Sequence, residues 1–166
     1  SLSCNSYFAD IYRKTIDSQY NTKERFDNWS NHIKSFGLGN YLNNDLSVGK
    51  KGIIPDSEYY DRWYPDFKWG GTTTISNSIG QGEILTTPIQ LANMTAAIAN
   101  GGYYYTPHII KKIDGDTIDI RFKTPIKTSI DSTHFKTMGK ALYKVFKSGT
   151  GKLLNVPGIE ICRKSG

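Results

Sequence analysis

Four short groupings in this 166-residue chain carry side chains that nucleophilic and proton-transfer sites use. Ser3-Cys4-Asn5 stands near one end and Lys164-Ser165-Gly166 at the other. A second copy of the latter triplet occurs at Lys147-Ser148-Gly149, and Ser47-Val48-Gly49-Lys50 sets a serine three residues before a lysine. Each is weak alone, because a Ser-x-Asn triplet arises by chance in a chain this long about as often as not. Context separates them. Ser47 and Lys50 share a face only on a helical turn. Gly49, Gly52, Pro55 and the run Asn43-Asn44-Asp45 predict a loop there, so this pair is a decoy. Lys147-Ser148-Gly149 falls where a helix should end, and Lys and Gly are ordinary residues at that position. Lys164-Ser165-Gly166 follows Ile159-Glu160-Ile161-Cys162-Arg163, which alternates like a strand, so its Lys and Ser can line one wall of a cleft.

The elements that must hold these groups read as mostly helical. Residues 4 to 17 predict a helix with Tyr7, Phe8, Ile11, Tyr12 and Ile16 on its apolar face and Ser3 or Asn5 as cap. A second helix runs from Thr22 or Lys23 to about Phe36, with Phe26, Trp29, Ile33 and Phe36 spaced 3, 4 and 3, and Gly37-Leu38-Gly39 ends it. Residues 38 to 56 are loop-rich. A short aromatic helix at Asp56 to Trp63 is stopped by Pro65.

Ile79 to Gly102 contains the best-formed helix signal. Thr87 caps it, Pro88 takes the first helical position, and Gly101-Gly102 stops it. Leu91, Met94, Thr95 and Ile98 recur at helical spacing among four alanines, which predicts a buried helix at the hub of the core. Next, Tyr103 to Ile113 and Thr117 to Phe122 predict an antiparallel hairpin. Asp131 caps a last helix whose buried stripe is Phe135, Met138, Leu142, Val145 and Phe146.

Composition narrows the class. Apolar content of 37% and charged content of 22% belong to a globular chain of one domain or a large part of one. No run reaches the length of a membrane span. Ser1 is not an initiator Met and no leader pattern follows it, which leads us to expect an excerpt of a longer protein. The net charge of +6 is scattered rather than striped, so it favours solubility over nucleic-acid binding. Cys4 and Cys162 allow one disulfide, but two inward-packing thiols are the preferred reading. His32, His108 and His134 lack metal-ligand spacing and read as surface or partly buried polar residues.

The order of the blocks resembles one family. Ser-x-Asn before a helix, then a helical region, then a strand into Lys-Ser-Gly are two of the three motifs of the penicillin-recognising serine enzymes, whose third is Ser-x-x-Lys. Phe36-Gly37-Leu38-Gly39, the Gly49 to Pro55 loop, Ile79-Gly80-Gln81-Gly82-Glu83 through Thr87-Pro88-Ile89-Gln90-Leu91-Ala92, and Ile98 to Gly102 followed by Pro107-His108-Ile109 resemble class B penicillin-binding proteins. The wording is most similar to the elongation-type penicillin-binding protein 2, and the resemblance runs from Ser3 to Gly166.

It implies an α+β fold: a mostly helical excerpt of the penicillin-binding, serine β-lactamase-like transpeptidase fold over residues 1–166. It would hold a small hairpin and the strand into Lys164, with later sheet strands absent. It implies a peptidoglycan D,D-transpeptidase that cross-links stem peptides through a serine acyl-enzyme and is a β-lactam target. By that resemblance Ser3 relays a proton, Asn5 bonds the catalytic lysine and the substrate amide, Lys164 adds positive field, Ser165 binds the substrate carboxylate, and the edge after Gly166 leads to the oxyanion hole. Ser165 departs from the usual Thr but keeps the hydroxyl. No segment here matches Ser-x-x-Lys on a helix, so the 166 residues alone are expected to be inert. The resemblance implies no cofactor, no metal and no nucleic acid. It implies peptidoglycan stem peptides, β-lactams and a glycan-polymerising membrane protein as partners, and an extracytoplasmic domain of an inner-membrane protein whose anchor lies outside this chain. The rivals are a β-lactamase or β-lactam sensor of the same fold, disfavoured by the Ile79–Ala92 block, and a non-catalytic peptidoglycan-binding module.

Overall fold

The computed structural model describes residues 4–46, 48–112, 114, 117–149 and 161–162. Among the described residues are five helices: α1 (Asn5–Ile16), α2 (Thr22–Lys34), α3 (Ser57–Trp63), α4 (Pro88–Ala99) and α5 (Ser132–Ser148). Single 3-10 segments lie at Ile75–Ile79 and Ile120–Phe122. The β structure among the described residues is one antiparallel ribbon, β1 (Tyr103–Tyr104) with β2 (Ile126–Lys127), and an isolated bridge between Ile53 and Leu85.

The first half of the chain closes around aromatic rings. Tyr12 and Ile16 of α1, Phe26 of α2, Tyr60 of α3 and Trp69 form the buried cluster, with Trp29 and Tyr59 packed against it. Phe26 is fully buried, and its ring centroid lies 5.4 Å from Tyr60, 5.3 Å from Trp69 and 5.6 Å from Trp29. Edge-on and stacked contacts at such separations add about 0.5–1.5 kcal/mol per pair beyond the area they bury.

On α1 only Tyr12 and Ile16 are buried; Tyr7, Phe8 and Ile11 are exposed. The expected apolar face is therefore covered only over its C-terminal half, where α2 and the 3-10 segment at Ile75–Ile79 meet it. The helix starts from Cys4, which makes no side-chain capping bond, and Asn5 lies inside the helix rather than capping it. The boundaries of α2 and α3 follow the sequence closely. Asp56 caps α3, its carboxylate accepting the Tyr59 N–H at 3.0 Å.

α4 begins as its sequence dictates. The Thr87 side chain accepts from the Gln90 N–H and the Gln90 Oε1 accepts from the Thr87 N–H at 2.9 Å, a reciprocal capping box behind Pro88. Its packing contradicts the expectation. The buried residues are Gln90, Asn93 and Ala97, whereas Leu91 and Thr95 are exposed and Met94 and Ile98 are half-buried. The reason is polar. α4 faces loop backbone whose carbonyls need donors, so amides occupy the buried face. α4 is therefore not the hub; the aromatic cluster is.

Gly101 and Gly102 do end α4, with φ of +78° and +111°. At Gly102 a Cβ would lie 2.6 Å from the Phe135 ring, so glycine lets α5 approach the turn. The hairpin is also corrected: β1 pairs with Ile126–Lys127, and Ile120–Phe122 forms a 3-10 turn. Phe122 is buried as the last residue of that turn, with His108 tilted over it at 4.6 Å. In α5 Asp131 caps as expected, accepting from the Thr133 N–H at 2.8 Å. Phe135 and Phe146 are buried, Leu142 and Val145 half-buried, and Met138 is exposed, which narrows the predicted stripe.

Candidate functional site

Asn5 sits in the first turn of α1 and is exposed, as are its neighbours Cys4 and Ser6. Ser3, Lys164, Ser165 and Gly166 lie outside the described residues, as does all of the expected strand 159–163 except Ile161 and Cys162, which have no regular structure. Of the five expected site residues, Asn5 is the one that falls among the described residues.

What aims Asn5 is the anchorage of α1 at its other end. The Tyr12 hydroxyl and Thr74 Oγ1 are 2.9 Å apart in the interior. Burial raises the Tyr12 phenol pKa, and the hydrogen bond it shares with Thr74 opposes that rise. The Asp17 carboxylate, one residue beyond α1, accepts the Gly71 N–H at 2.7 Å. A Cβ on Gly71 would stand 2.9 Å from that carboxylate and 3.1 Å from the Arg13 Cα, so the backbone approach needs glycine. The C-terminal half of α1 is fixed to the 70–79 segment, and its first turns project from that mount.

The 70–79 segment is tied in turn to the Gly80-Gln81-Gly82-Glu83 loop. Asn77 Nδ2 donates to the Tyr60 hydroxyl at 2.9 Å, and that hydroxyl donates to Glu83 Oε2 at 2.6 Å. Burial, and then the bond to the Glu83 carboxylate, hold the Tyr60 proton far above the ordinary phenol range. Glu83 is thus joined to the aromatic core. Gln81, at the tip, is exposed and the loop serves as a tight turn. One step on, the Ile53–Leu85 bridge and α4 complete the lock. Gln90 Nε2 donates to the Asn40 and Lys51 carbonyls, each at 2.8 Å, and Asn93 Nδ2 donates to the Phe36 carbonyl at 3.0 Å.

The remaining candidates resolve simply. Lys147 and Ser148 are the last residues of α5 and Gly149 is its C-cap, so this triplet is a helix end, as its context indicated. Residues 48–50 have no regular structure, in keeping with a loop around Ser47, which itself lies outside the described residues. Cys4 and Cys162 are free and exposed, against the reading of two inward-packing thiols. The Cys162 thiol donates to the Gly139 carbonyl across 3.6 Å. His32 and His108 are exposed; His32 Nδ1 lies 2.7 Å from Ser129 Oγ. In the Tyr103–Tyr105 run, Tyr104 is buried and Tyr105 exposed, the alternation of a half-buried strand.

The whole chain, residues 1–166, matches the model of the penicillin binding protein transpeptidase domain. The chain belongs to that family. Peptidoglycan D,D-transpeptidase MrdA of Acinetobacter baumannii is 32% identical, over 99% of this chain and 24% of that protein. Stage V sporulation protein D of Bacillus subtilis is also 32% identical, over 99% of this chain and 23% of its own length. Penicillin-binding protein 2 of Pseudomonas aeruginosa, solved with WCK 5153, superposes with a TM-score of 0.70 at 24% identity, covering 91% of this chain and 33% of that one. The chain thus spans about a quarter of the length of the curated relatives it matches. It is homologous to the MrdA type and has the penicillin-binding fold in mostly helical form, as its sequence indicated.

Residues the motif reading passed over are those that hold this transpeptidase segment in shape: Asp17, Gly71, Tyr60, Glu83, Gln90 and Asn93. The signal for Gln90 was present in the Thr-Pro-x-Gln spacing of a capping box. Nothing local in the sequence marks Asp17 or Gly71.

Proposed function

We propose that this chain is the part of a D,D-transpeptidase that carries two of the walls of its acyl-transfer site. The observation that carries the reading is the 32% identity along essentially the whole chain to a named peptidoglycan D,D-transpeptidase. The anchored, outward-facing start of α1 supports it, because a group acting on substrate must be both fixed and accessible. In this reading a serine outside these residues attacks a stem-peptide amide carbonyl. The C–N bond breaks, the leaving amine takes a proton, and an acceptor amine then displaces the ester to form the cross-link and restore the serine hydroxyl. Ser3 relays the proton, Asn5 orients the amide, Lys164 supplies positive potential, and Ser165 holds the substrate carboxylate. Gly166 leads to the backbone donor of the oxyanion hole. β-Lactams acylate the same serine. The full protein works at the cell envelope with its domain outside the inner membrane, beside a glycan-polymerising partner; no helix among the described residues is long and apolar enough to cross a membrane.

The test is acylation by a fluorescent penicillin. We expect the full-length protein to label and the 166-residue chain not to. In the full-length protein Lys164→Ala should slow acylation by about 10²–10³-fold, the range typical for losing one preorganised electrostatic contact. Labelling of the isolated chain at Ser47, or an unchanged rate in Lys164→Ala, would overturn the reading.

A further inference from the structure

A groove of about 870 Å³ lies between the turn that follows α1 and the loop after α3. Tyr20, Tyr64, Phe67 and Trp69 contribute to its lining. Tyr20 is 89% exposed and Phe67 is 74% exposed, an unusual cost for two aromatic rings flanking one depression. The floor is firm. Trp69 is buried and donates its indole N–H to Asp61 at 2.9 Å, and Lys23 donates to the same carboxylate at 2.7 Å. These two bonds hold the Asp61 pKa below its ordinary value, the one from Lys23 first. The other charged lining groups are Glu24, Asp66 and Lys68, so cations and anions nearly balance. Such a surface does not select a polyanion or an anionic membrane. It suits a neutral ligand that offers apolar faces to rings and hydroxyls to hydrogen-bonding groups, which is the chemistry of a saccharide.

Position adds a second argument. The groove opens at the C-terminal end of α1, and Asn5 is at the other end. The 12 residues of α1 span about 18 Å at a rise of about 1.5 Å per residue. An extended stem of about five residues reaches about 17 Å. A glycan strand in the groove thus lies about one stem length from the first turn of α1. Resting on the transpeptidase reading above, we infer that this groove is a saccharide-binding site that holds the glycan strand of peptidoglycan while its stem peptide reaches toward Asn5. In the strand the lactyl carboxyl of each peptide-bearing sugar is consumed in the amide to its stem, which leaves the sugars neutral, as the lining requires.

The test uses the full-length protein and fluorescent, peptide-free glycan strands released from peptidoglycan by an amidase, their freed lactyl carboxyls capped as methylamides so that the sugars are neutral as in the intact strand. The parent should bind them. Tyr20→Ala and Phe67→Ala should each weaken binding about fivefold, and the double variant by about twentyfold. Melting temperature and the rate of acylation by fluorescent penicillin should stay as in the parent, because both rings are exposed and neither is placed in the acyl-transfer site. A parent that fails to bind the strands, or a double variant that binds like the parent, overturns the inference. The two readings fail separately. Acylation with ring-independent strand binding removes the groove and keeps the transpeptidase. Ring-dependent binding by a protein that penicillin never acylates keeps the saccharide site and removes the transpeptidase.

Discussion

Phe26 on α2 and Gln90 on α4 are both withdrawn from solvent, at 0% and 1% exposure, yet they hold their halves of the molecule by opposite means. Phe26 touches rings from α2, α3 and the 69 position, and its neighbourhood coheres by excluding water. Gln90 touches carbonyls from two distant points of the loop between α2 and α3 and the Thr87 N–H that caps its own helix, and its neighbourhood coheres by satisfying polar backbone. A ring core tolerates some change of shape because dispersion is non-directional. A glutamine that makes three directed bonds has no isostere among apolar residues. Burial on a helix therefore does not say which residue type belongs there; the neighbouring surface does.

This contrast can be broken by substitution. The largest effect is expected at Phe26→Ala, which removes a fully buried ring from a multi-partner cluster and should cost about 3–5 kcal/mol in urea denaturation. A loss below about 1 kcal/mol would mean that the rings are not the centre of that half. Next, hydrophobicity should act in reverse on α4. Gln90→Leu strands the Asn40 and Lys51 carbonyls and opens the capping box, at a cost of about 1–3 kcal/mol. The adjacent Leu91→Gln, at a position 46% exposed, should stay within about 0.5 kcal/mol of the parent. Equal effects at 90 and 91 would erase the distinction between the halves.

The smallest effect belongs to a third kind of tether. The Asp45 carboxylate accepts the Ile110 N–H at 2.7 Å and the Ile109 N–H at 2.8 Å, joining the 43–46 loop to the chain beyond β1. These bonds, that from Ile110 first, hold its pKa below the ordinary 3.8. A carboxyl with a depressed folded-state pKa contributes stability above 3.8 and loses it as pH falls through the lower folded value. Thermal melts from pH 6 down to pH 3 should therefore show a slightly shallower acid loss in Asp45→Asn than in the parent. Identical slopes would show that this exposed carboxylate does no more than decorate the loop.

Much of the local architecture was legible in the sequence. Asp56, Thr87-Pro88 and Asp131 marked helix starts, and Gly101-Gly102 marked an end, because capping and left-handed turns are decided within a few residues of chain. The spacing of Phe26, Trp29, Ile33 and Phe36 gave the face of α2. The misread helix face and hairpin were of non-local origin. The stripe Leu91, Met94, Thr95 and Ile98 pointed to a buried apolar face, but the opposite amides turned inward to meet loop carbonyls from residues 40 and 51. Thr117 to Phe122 had strand propensity, but β1 found its partner at Ile126–Lys127, since pairing two residues per strand leaves register to whatever packs beside it.

The site divides the same way. The types and order of Ser3, Asn5, Lys164 and Ser165, together with the Ile79–Ala92 block, determined by sequence alone which family this chain resembles, because motif order and wording are properties of the string. Where Asn5 is aimed was decided by tertiary structure: by Asp17 against Gly71, Tyr12 against Thr74, and the Asn77–Tyr60–Glu83 chain of hydrogen bonds. Those partners lie 17 to 62 residues apart. Their energy comes from burial and from fixed donor–acceptor geometry, and neither exists until distant segments have come together.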